Sequence, residues 1–377
     1  MNIPKLRFKD NNGNDYPQWE KKKLGDIVQF LDNKRKPLEQ SERIHGKYPY
    51  YGASGIIDYI NNYIFDEELV LLSEDGANII DRNYPICYIA TGKYWVNNHA
   101  HVLKTKSQYL NKFLCEALER LNYNKYNTGT AQPKLNQDIC KNILLNIPIL
   151  HEQEKIANFF STIDKKIKNL ANTITSLENQ KKGLLQQIFS QKLRFKDKNG
   201  NNYPNWKKKK LGDLFTIKAG GDINKENFSE QYSIEFKYPV YANALTNNGL
   251  YGYSNIYKID KPSITVTWRG INVGFALSRE PFYYPIVRLL VLIPNININF
   301  TFFTESINFI HIFNESTGVP QLTAPQLSKV NVYVPNIEEQ NKIGNLFDKL
   351  NEKIDNKKAQ LEHWQQIKKG LLQQMFV

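Results

Sequence analysis

The chain has 377 residues, which is enough for two or three domains with hydrophobic cores. Its 50 lysine and arginine residues against 37 acidic residues give a net charge of +13, which favours a polyanionic partner, although lysine-rich composition also follows genome composition. No run approaches the roughly 18 apolar residues of a membrane span, no signal-type segment follows Met1, and Cys87, Cys115 and Cys140 lack metal-ligand spacing. These features exclude a membrane-spanning or disulfide-rich secreted protein and predict a soluble, cytoplasmic one.

A long repeat divides the chain into two modules. Residues 5–26 and 192–213 agree at 18 of 22 positions, at an offset of 187 residues. Both copies are rich in turn residues around an Asn-Gly-Asn triplet and then continue into an apolar, strand-like segment. A period this long indicates two tandem modules rather than a solenoid.

Between these matching segments the modules differ in sequence but share an order of predicted elements. Each begins with short β-type runs, continues with one helix and a glycine-centred loop, and ends in a closing strand. The helices are predicted near residues 107–121 and 302–313, and Pro148 or Pro335 terminates the closing strand. The predicted fold class is therefore α+β, with two globular domains of mixed α/β structure.

A long helix is predicted after each closing strand. Over residues 156–188 and 343–375, positions spaced alternately four and three apart are apolar, except Lys181, Lys357 and Lys368. That spacing is typical of a coiled-coil seam, so we expect helices over 152–191 and 339–376 to pack antiparallel and bury their apolar stripes. The predicted division is 1–150 and 192–337 for the globular domains, and 151–191 and 338–377 for the helices, related by a pseudo-two-fold internal repeat.

Several short motifs mark equivalent places in the two modules. Both helices start with Glu-Gln-x-x-Ile, at Glu152 and Glu339, and both end in Lys-Gly-Leu-Leu-Gln-Gln. The first module also contains YYGASG at 50–55 and EDGAN at 74–78. With the order globule, helix, globule, helix, these motifs resemble the specificity subunit of type I restriction–modification systems over nearly the whole chain.

The resemblance implies both a function and partners. Each globular domain would be a target-recognition domain that reads one half of a bipartite site in double-stranded DNA. The helices would set the spacing between the half-sites and dock two methyltransferase subunits, and restriction or motor subunits would complete the complex. The chain itself would bind no cofactor or metal, while its partners would use S-adenosylmethionine, ATP and Mg²⁺.

The first module offers candidate DNA contacts in a polar stretch beside a β-type run. Such side chains suit base edges or phosphates, and internal turn bonding also explains them; the candidates are Lys93, Tyr94, Trp95, Asn97, Asn98 and His99. A metal site at His99 and His101 is disfavoured because no cysteine or carboxylate stands at fitting spacing.

A glycine-centred loop follows the predicted helix in both modules. Small residues, hydroxyls and backbone N–H groups suit a close approach to phosphate, although a helix-to-strand turn also needs glycine. The candidates are Thr128, Gly129, Thr130, Gln132 and Lys134 in the first module, and Thr317, Gly318 and Gln321 in the second. The lysine runs at 21–23 and 207–210 are interpreted as solvated surface, with non-specific phosphate contact as the alternative.

In the second module, residues 268–274 are interpreted as the counterpart of residues 95–101. Arg269 can reach guanine O6 and N7 in a bidentate fork, or can instead pair with a structural carboxylate or stack on Trp268. Trp268 and Asn272 are further candidate DNA contacts in the same stretch. A separate polar loop is suited to base contacts or to turn chemistry, and its candidates are Asn243, Thr246 and Asn247.

The sequence lacks motifs for catalysis. It has no Asn/Asp-Pro-Pro-aromatic tetrapeptide or glycine-rich turn suited to S-adenosylmethionine, and no Walker-type loop for ATP. We therefore expect a non-catalytic recognition subunit of a multisubunit DNA adenine methyltransferase/endonuclease complex. The alternatives are a coiled-coil scaffold whose globular domains bind proteins, and an enzyme with an unrecognised active site.

Overall fold

A computed structural model describes residues 4–107, 109–129, 131–244, 246–270, 272–310 and 321–376. The chain forms two compact units, residues 1–171 with 359–377 and residues 172–358. Each unit therefore combines one globular domain with a segment of each long helix. Three predicted contact residues, Thr130, Thr317 and Gly318, lie outside the described residues.

The first domain is built mainly from short strands. In chain order its strands are β1 (Glu20–Lys23), β2 (Val28–Phe30), β3 (His45–Gly52), β4 (Gly55–Ile60), β5 (Phe65–Asp66), β6 (Leu69–Ser73), β7 (Cys87–Ala90), β8 (Lys93–Val96), β9 (Ala100–Thr105) and β10 (Leu144–Ile147). Its helices are α1 (Leu24–Ile27), α2 (Asn78–Asp81), α3 (Asn111–Arg120) and α4 (Gln137–Lys141), and the long helix α5 (Leu150–Phe189) follows.

These strands form three sheets. One is antiparallel with the order β2-β9-β6-β7, the second has the order β4-β3-β8-β5 with β3 parallel to β8, and β1 pairs with β10. All five residues of β6 are buried, as expected for an uninterrupted apolar run in the middle of a sheet. Phe113, Leu114, Ala117 and Leu118 form the buried face of α3, in the core that also contains residues of β6 and both long helices.

The second domain has the same architecture. Its strands are β11 (Lys207–Lys210), β12 (Phe215–Ala219), β13 (Phe228–Ser229), β14 (Tyr238–Tyr241), β15 (Leu250–Ser254), β16 (Ser263–Thr267), β17 (Ala276–Arg279), β18 (Tyr284–Pro285), β19 (Leu289–Pro294) and β20 (Asn331–Val334). Its helices are α6 (Leu211–Leu214), α7 (Phe300–Ile310) and α8 (Ala324–Ser328), and the chain continues into α9 (Ile337–Met375). The sheet β12-β19-β16-β17 matches β2-β9-β6-β7, and β14 runs parallel to β18 as β3 does to β8.

The two long helices pair within each unit. In the first unit, Ile156 and Phe160 from the start of α5 share a core with Leu372 and Met375 from the end of α9. In the second unit, Ile188 from the end of α5 shares a core with residues near the start of α9, Ile343 and Phe347. The helix segments are therefore antiparallel in both units, which confirms the predicted seam, and each helix begins two residues earlier than expected.

The repeated segment before β1 and β11 joins each domain to the start of its helix. Arg7 makes a bidentate ion pair with Glu152, with Nε–Oε1 at 3.0 Å and a terminal nitrogen to Oε2 at 2.7 Å, and Trp19 donates its indole N–H to the same carboxylate at 3.0 Å. The second copy makes the same three bonds from Arg194 and Trp206 to Glu339. These 0% exposed carboxylates explain why this segment occurs twice: it builds the same joint in both units.

The lysine runs adopt a structure that composition does not suggest. Each run forms a strand, β1 or β11, that pairs antiparallel with the closing strand of its domain, β10 or β20. All four side chains of β11 are exposed, so the ladder forms through backbone hydrogen bonds while the charges stay in water. Their interpretation as solvated surface agrees with this exposure. No helix among the described residues is long and apolar enough to cross a membrane.

Candidate nucleic-acid interface

Three loops of the first domain meet where β6 ends. The amide of Glu74 donates to the carbonyl of His99 at 2.9 Å, and the carbonyl of Glu74 accepts from the amide of Leu135 at 2.7 Å. The amide of Gly76 donates to the carbonyl of Pro133 at 3.0 Å. The loop after β6, the turn between β8 and β9, and the described part of the glycine-centred loop therefore form one surface, which we call loop cluster 1 (residues 74–76, 97–99, 127–129 and 131–134).

Several predicted contact residues lie exposed on loop cluster 1. Asn98, His99, Thr128, Gln132 and Lys134 are all exposed. The His99 ring nitrogen Nδ1 lies 2.9 Å from both oxygens of Asp75, and the Lys134 ammonium lies 3.6 Å from Glu74. The cluster thus presents imidazole, ammonium and amide groups close together, which suits contacts to base edges and phosphates.

The glycine-centred loop is held by hydrogen bonds among its own residues. The Asn127 side-chain oxygen accepts the amide hydrogens of Gly129 and Lys134 at 3.0 and 2.8 Å, and the Thr128 amide donates to the Lys134 carbonyl. A Cβ atom at Gly129 would lie 1.7 Å from the Gln132 carbonyl oxygen, so only glycine fits there. These three N–H groups are therefore used inside the loop and do not face a phosphate.

Other predicted contacts lie in the core. Tyr94 is 0% exposed and Trp95 is 7% exposed, because β8 is paired on both sides by β3 and β5, and the Trp95 indole donates to the Lys36 carbonyl. Asn97 is buried and accepts the His99 amide hydrogen. Their burial contradicts the predicted contact of these three side chains with DNA. Lys93 is exposed, but it lies at the other end of β8, over the ring of Tyr63.

A charged network supports loop cluster 1 from below, and sequence reasoning did not find it. The His101 Nδ1 lies 2.6 Å from Asp32, and the Arg35 guanidinium lies 2.5 Å from Glu74 and 3.6 Å from Asp32. Arg35 also donates to the carbonyls of Asn98 and Ala100, which bracket His99. The network thereby ties β9, the turn before it and the loop after β6 to one another.

The protonation of His101 follows from its two acceptors. Its Nδ1 faces the Asp32 carboxylate and its Nε2 lies 2.7 Å from the Leu135 carbonyl, so only the imidazolium donates to both. Burial opposes the charged form, but the hydrogen bonds and charges of Asp32 and Cys140 together outweigh it and raise the pKa of His101 to about 10. Burial likewise opposes charge on Asp32, yet the hydrogen bond and charge of His101, the Val102 amide and the charge of Arg35 together leave the pKa of Asp32 below its ordinary value.

The same network contains the kind of residues that bind metals. Ligand atoms of Asp32, Glu74 and His101 lie within 4.8 Å of one another. The positive charges of Arg35 and the His101 imidazolium already balance the two carboxylates, and both His101 nitrogens are occupied by hydrogen bonds. We therefore interpret these residues as a charge-paired support rather than as a metal centre.

The second domain forms an equivalent surface. The Trp268 amide donates to the Arg288 carbonyl at 3.1 Å, and the Leu322 amide donates to the Trp268 carbonyl at 2.7 Å. The Asn243 side chain donates to the Arg269 carbonyl, and Arg269 forms a β-bridge with Gln321. We call these residues loop cluster 2 (242–249, 268–275, 286–288 and 321–322, except the undescribed 245 and 271).

Loop cluster 2 is richer in exposed arginine than the sequence predicted. Among the described residues, the exposed Arg269 side chain has no ion-pair, hydrogen-bond or ring partner, so neither structural alternative weighed for it is realised there. Arg288, which sequence reasoning missed, is also exposed and has a left-handed backbone with φ of 75°. Two guanidinium groups on neighbouring loops can each make a bidentate contact to guanine or phosphate.

The remaining candidates of the second domain combine exposure with turn formation. Asn272, Thr246, Asn247 and Gln321 are exposed. Asn247 has a positive φ of 48°, which asparagine tolerates better than most residues, so the turn-chemistry interpretation applies to its backbone. Trp268 is half-buried, and its indole N–H is buried without an acceptor among the described residues.

A buried arginine lies beneath loop cluster 2. Arg279 is 7% exposed, donates from Nε to the Thr265 hydroxyl at 2.9 Å, and stacks on the Tyr241 ring at 3.8 Å. Burial lowers the pKa of this guanidinium from its ordinary value. Its charge and the exposed Arg269 and Arg288 make this face of the second domain positive, which favours a polyanion.

The structure corrects the predicted correspondence between the modules. Residues 268–274 follow β16, whose register against β19 pairs Thr267 with Leu289, and in the first domain the equivalent pair is Ser73 with Ala100. The counterpart of Trp268-Arg269 is therefore Glu74-Asp75, and that of His99 is Arg288. The interpretation of 268–274 as the counterpart of 95–101 was wrong. Both stretches contain a tryptophan, but Trp268 follows β16, whereas Trp95 lies within β8.

Two copies of one mixed α/β fold, each with its own loop cluster and each joined to a pair of helix segments, define a duplicated recognition protein. Residues 16–179 and 203–364 match the family described as the type I restriction modification DNA specificity domain. The chain belongs to this family, as a type I specificity subunit with two target-recognition domains.

Similar proteins cover nearly the whole chain. A putative type I specificity subunit of Mycoplasma pneumoniae is 27% identical over 334 residues, which are 87% of this chain and 88% of that protein. The MjaVIII specificity subunit of Methanocaldococcus jannaschii is 22% identical over 97% of this chain and 94% of its own length. The solved S subunit from M. genitalium has the same fold, with a TM-score of 0.72 at 19% identity and coverage of 100% and 99%.

Proposed function

We propose that each recognition domain of this subunit reads one half of a bipartite DNA site through its loop cluster. The observation that carries this proposal is the difference between the clusters on equivalent backbones. Asp75, His99 and Lys134 in the first domain stand where Arg269, Arg288 and Gln321 stand in the second. Two readers with different side chains at matching positions suit two different half-site sequences.

The repeated parts of the chain suit assembly. The joints made by Arg7, Trp19 and Glu152, and by their counterparts, are the same in both units. These joints are buried, but they give each unit the same arrangement of repeated segment and helix ends. An arrangement that occurs twice suits two copies of one partner, and we assign the exposed parts of the repeated segments and helices to two methyltransferase subunits, with restriction or motor subunits added to them. The helices then set the spacing of the half-sites.

Catalysis is assigned to the partners. The S-adenosylmethionine, ATP and Mg²⁺ that the complex uses are held by the methyltransferase and motor subunits, and this chain supplies the sequence preference. Its own loop clusters offer hydrogen-bond donors and positive charge, which bind and orient a duplex.

Exchange of one domain tests the division of labour. Residues 211–335 are replaced by those of another family member, the chimera is co-expressed with the methyltransferase subunit, and methylated adenines are mapped genome-wide. We expect one half-site to change and the other to stay as in the wild type. A change in both halves contradicts separate reading.

Salt dependence separates this function from that of a protein-binding scaffold. Binding of the assembled complex to duplex DNA should fall steeply between about 50 and 200 mM salt and should depend on sequence. A scaffold with protein-binding domains shows neither behaviour, so a flat salt response with no sequence preference removes the proposed function.

A further inference from the structure

A lysine interrupts the apolar seam of each long helix at the same repeat position. Lys181 in α5 and Lys368 in α9 are separated by the repeat offset of 187 residues, and each stands where the four–three pattern calls for an apolar side chain. A charge in a seam destabilises the helix pair unless it finds a partner there. These two lysines are therefore expected to have a specific role.

In the first unit the lysine binds the recognition domain. The Lys368 ammonium lies 2.9 Å from Glu116 on α3 and 2.7 Å from Asp164 on α5. Lys112 of α3 contacts the same two carboxylates, so two lysines and two acids alternate in one cluster. One side chain of α9 thus connects the recognition domain and the other long helix.

In the second unit the equivalent lysine makes the equivalent contact. The Lys181 ammonium lies 2.6 Å from Glu305 on α7, and the Asn351 side chain of α9 donates to the same carboxylate. The equivalence of Glu116 and Glu305 is fixed by their neighbours. Phe113 and Phe302, three residues earlier, each pack edge-on against the repeated tryptophan, Trp19 or Trp206.

The two glutamates are buried, so their ionised form depends on the lysines that pair with them. Glu116 is 2% exposed and Glu305 is 6% exposed, and one oxygen of Glu116 has no hydrogen-bond partner among the described residues. Removal of Lys181 leaves Glu305 without a cation among the described residues. Removal of Lys368 leaves Lys112 alone with the two acids Glu116 and Asp164. A buried carboxylate that lacks positive charge is strongly disfavoured, so the helix that carries it moves to regain water. Each recognition domain is therefore held at one place and one angle on its helix segments.

We propose that Lys368 and Lys181 are positioning residues. Each fixes the position and angle of one recognition domain on its helix segments, which we call the seat of that domain, and thereby the half-site spacing that the subunit accepts. This inference rests on the split-site reading proposed above. The lysines are distant in sequence from the loop clusters. They therefore affect the position of each recognition domain and not which bases the domain reads.

The test uses the full subunit assembled with its methyltransferase subunit. Lys368→Met and Lys181→Met place an apolar side chain of similar length in the seam, and Glu116→Gln and Glu305→Gln remove the partner charge while keeping the shape. The matched controls are Lys369→Met and Lys182→Met, which remove the same charge from the exposed neighbouring position. Lys368→Arg and Lys181→Arg keep the cation and should behave as the wild type.

Two measurements are made on every variant. Hydrogen–deuterium exchange reports the seat, and we expect Lys368→Met or Glu116→Gln to speed exchange in α3 about tenfold and leave α7 unchanged, with the converse for Lys181→Met or Glu305→Gln. Methylation of a duplex library with native half-sites and gaps varied by one or two base pairs reports spacing. Preference for the native gap should fall about tenfold, equivalent to 1.4 kcal/mol, while the half-site bases stay the same.

Each outcome decides the inference. Unchanged exchange in both helices shows that the lysines do not hold the seat. Faster exchange with an unchanged gap preference shows a purely structural role, and altered half-site bases show that the lysines shape the reader itself. If the wild-type complex recognises no split site, the split-site function and the spacing role are both excluded. The exchange data still decide whether the lysines hold the recognition domains in place.

Discussion

Arg269 is the side chain for which the structure makes the sharpest prediction of sequence readout. It is exposed on loop cluster 2 and has no partner among the described residues. Replacement by alanine should cost about 1–3 kcal/mol of binding to the specific site and relax the preference at one base of one half-site. Competition of specific against random duplexes measures both effects.

The matched control for Arg269→Ala is Lys261→Ala, which also removes one exposed positive charge. Lys261 lies just before the first residue of β16, whereas Arg269 lies just after its last residue. This control should weaken specific and random binding equally, and only slightly. If Arg269→Ala also lowers both affinities by the same factor, Arg269 contacts phosphate and not a base.

His101 lends itself to a pH test. Because its pKa is raised from 6.5 to about 10, its stabilising contribution is fully present below pH 6.5 and is lost as pH rises through 10. Asp32, whose pKa is lowered from 3.8, adds a contribution that is lost as pH falls below that value. His101→Gln should therefore reduce the free energy of unfolding by about 3–5 kcal/mol at pH 6 and by clearly less at pH 10.5.

Denaturant unfolding at the two pH values measures this difference, with the exposed His45→Gln as the control that should cost little at either. A cost of His101→Gln that is the same at pH 6 and pH 10.5 would contradict a charged pair and indicate that packing alone holds His101 in place.

At the scale of elements, the seam makes the clearest stability prediction. Ile354 is 6% exposed and Ile167 packs partly buried against the core, so aspartate at both places buries charge between the helices. The double variant should lose several kcal/mol of stability, measured by denaturant unfolding. Asn356→Asp places the same side chain on the exposed face of α9 and should change little. A double variant as stable as the wild type would mean that the seam lies elsewhere.

The elements differ in how far sequence alone predicted them. The long helices were located to within two residues because their four–three spacing is a local signal. The burial of Tyr94 and Trp95 depends on the pairing of β8 with strands from distant parts of the chain. The sequence of β8 alone therefore does not distinguish a surface stretch from the middle of a sheet. Arg288 was missed because its exposure depends on a left-handed backbone conformation, which an arginine in the sequence does not predict.

Pairing across the sheets also decided which loops of the candidate site belong together. His99, Lys134, Arg269 and Gln321 were found from residue type, and the structure places them on the two loop clusters. The supporting network of Asp32, Arg35 and His101 was not predicted, because its members are up to 69 residues apart in sequence and follow no spacing pattern. Residue type identifies candidates for contact, whereas the support beneath them requires the fold.

At the scale of the molecule, the repeat separates two tasks. Residues that are the same in both units, such as Trp19 and Trp206, form joints between domain and helix, whereas the side chains of the two loop clusters differ. New loop sequences can therefore alter the bases that are read while the joints stay intact. In the function proposed above, the helices set the remaining variable, the distance between the half-sites.

Helix length should control that distance. Each unit pairs one segment of α5 with one segment of α9, so both helices must be lengthened together to keep both pairings. Four residues inserted after Ala171 and four after Lys358 add about 6 Å and rotate the seam by only about 40°. With base pairs about 3.4 Å apart, the recognised gap should grow by one or two base pairs.

Insertions of two residues at the same two places provide the contrast. They rotate the seam by about 160° and expose it, so this variant should be less stable and less active even though its helices grow by only about 3 Å. Methylated sites mapped in cells give the gap for each variant. An active four-residue variant with an unchanged gap would show that the methyltransferase subunits, and not the helices, space the two readers.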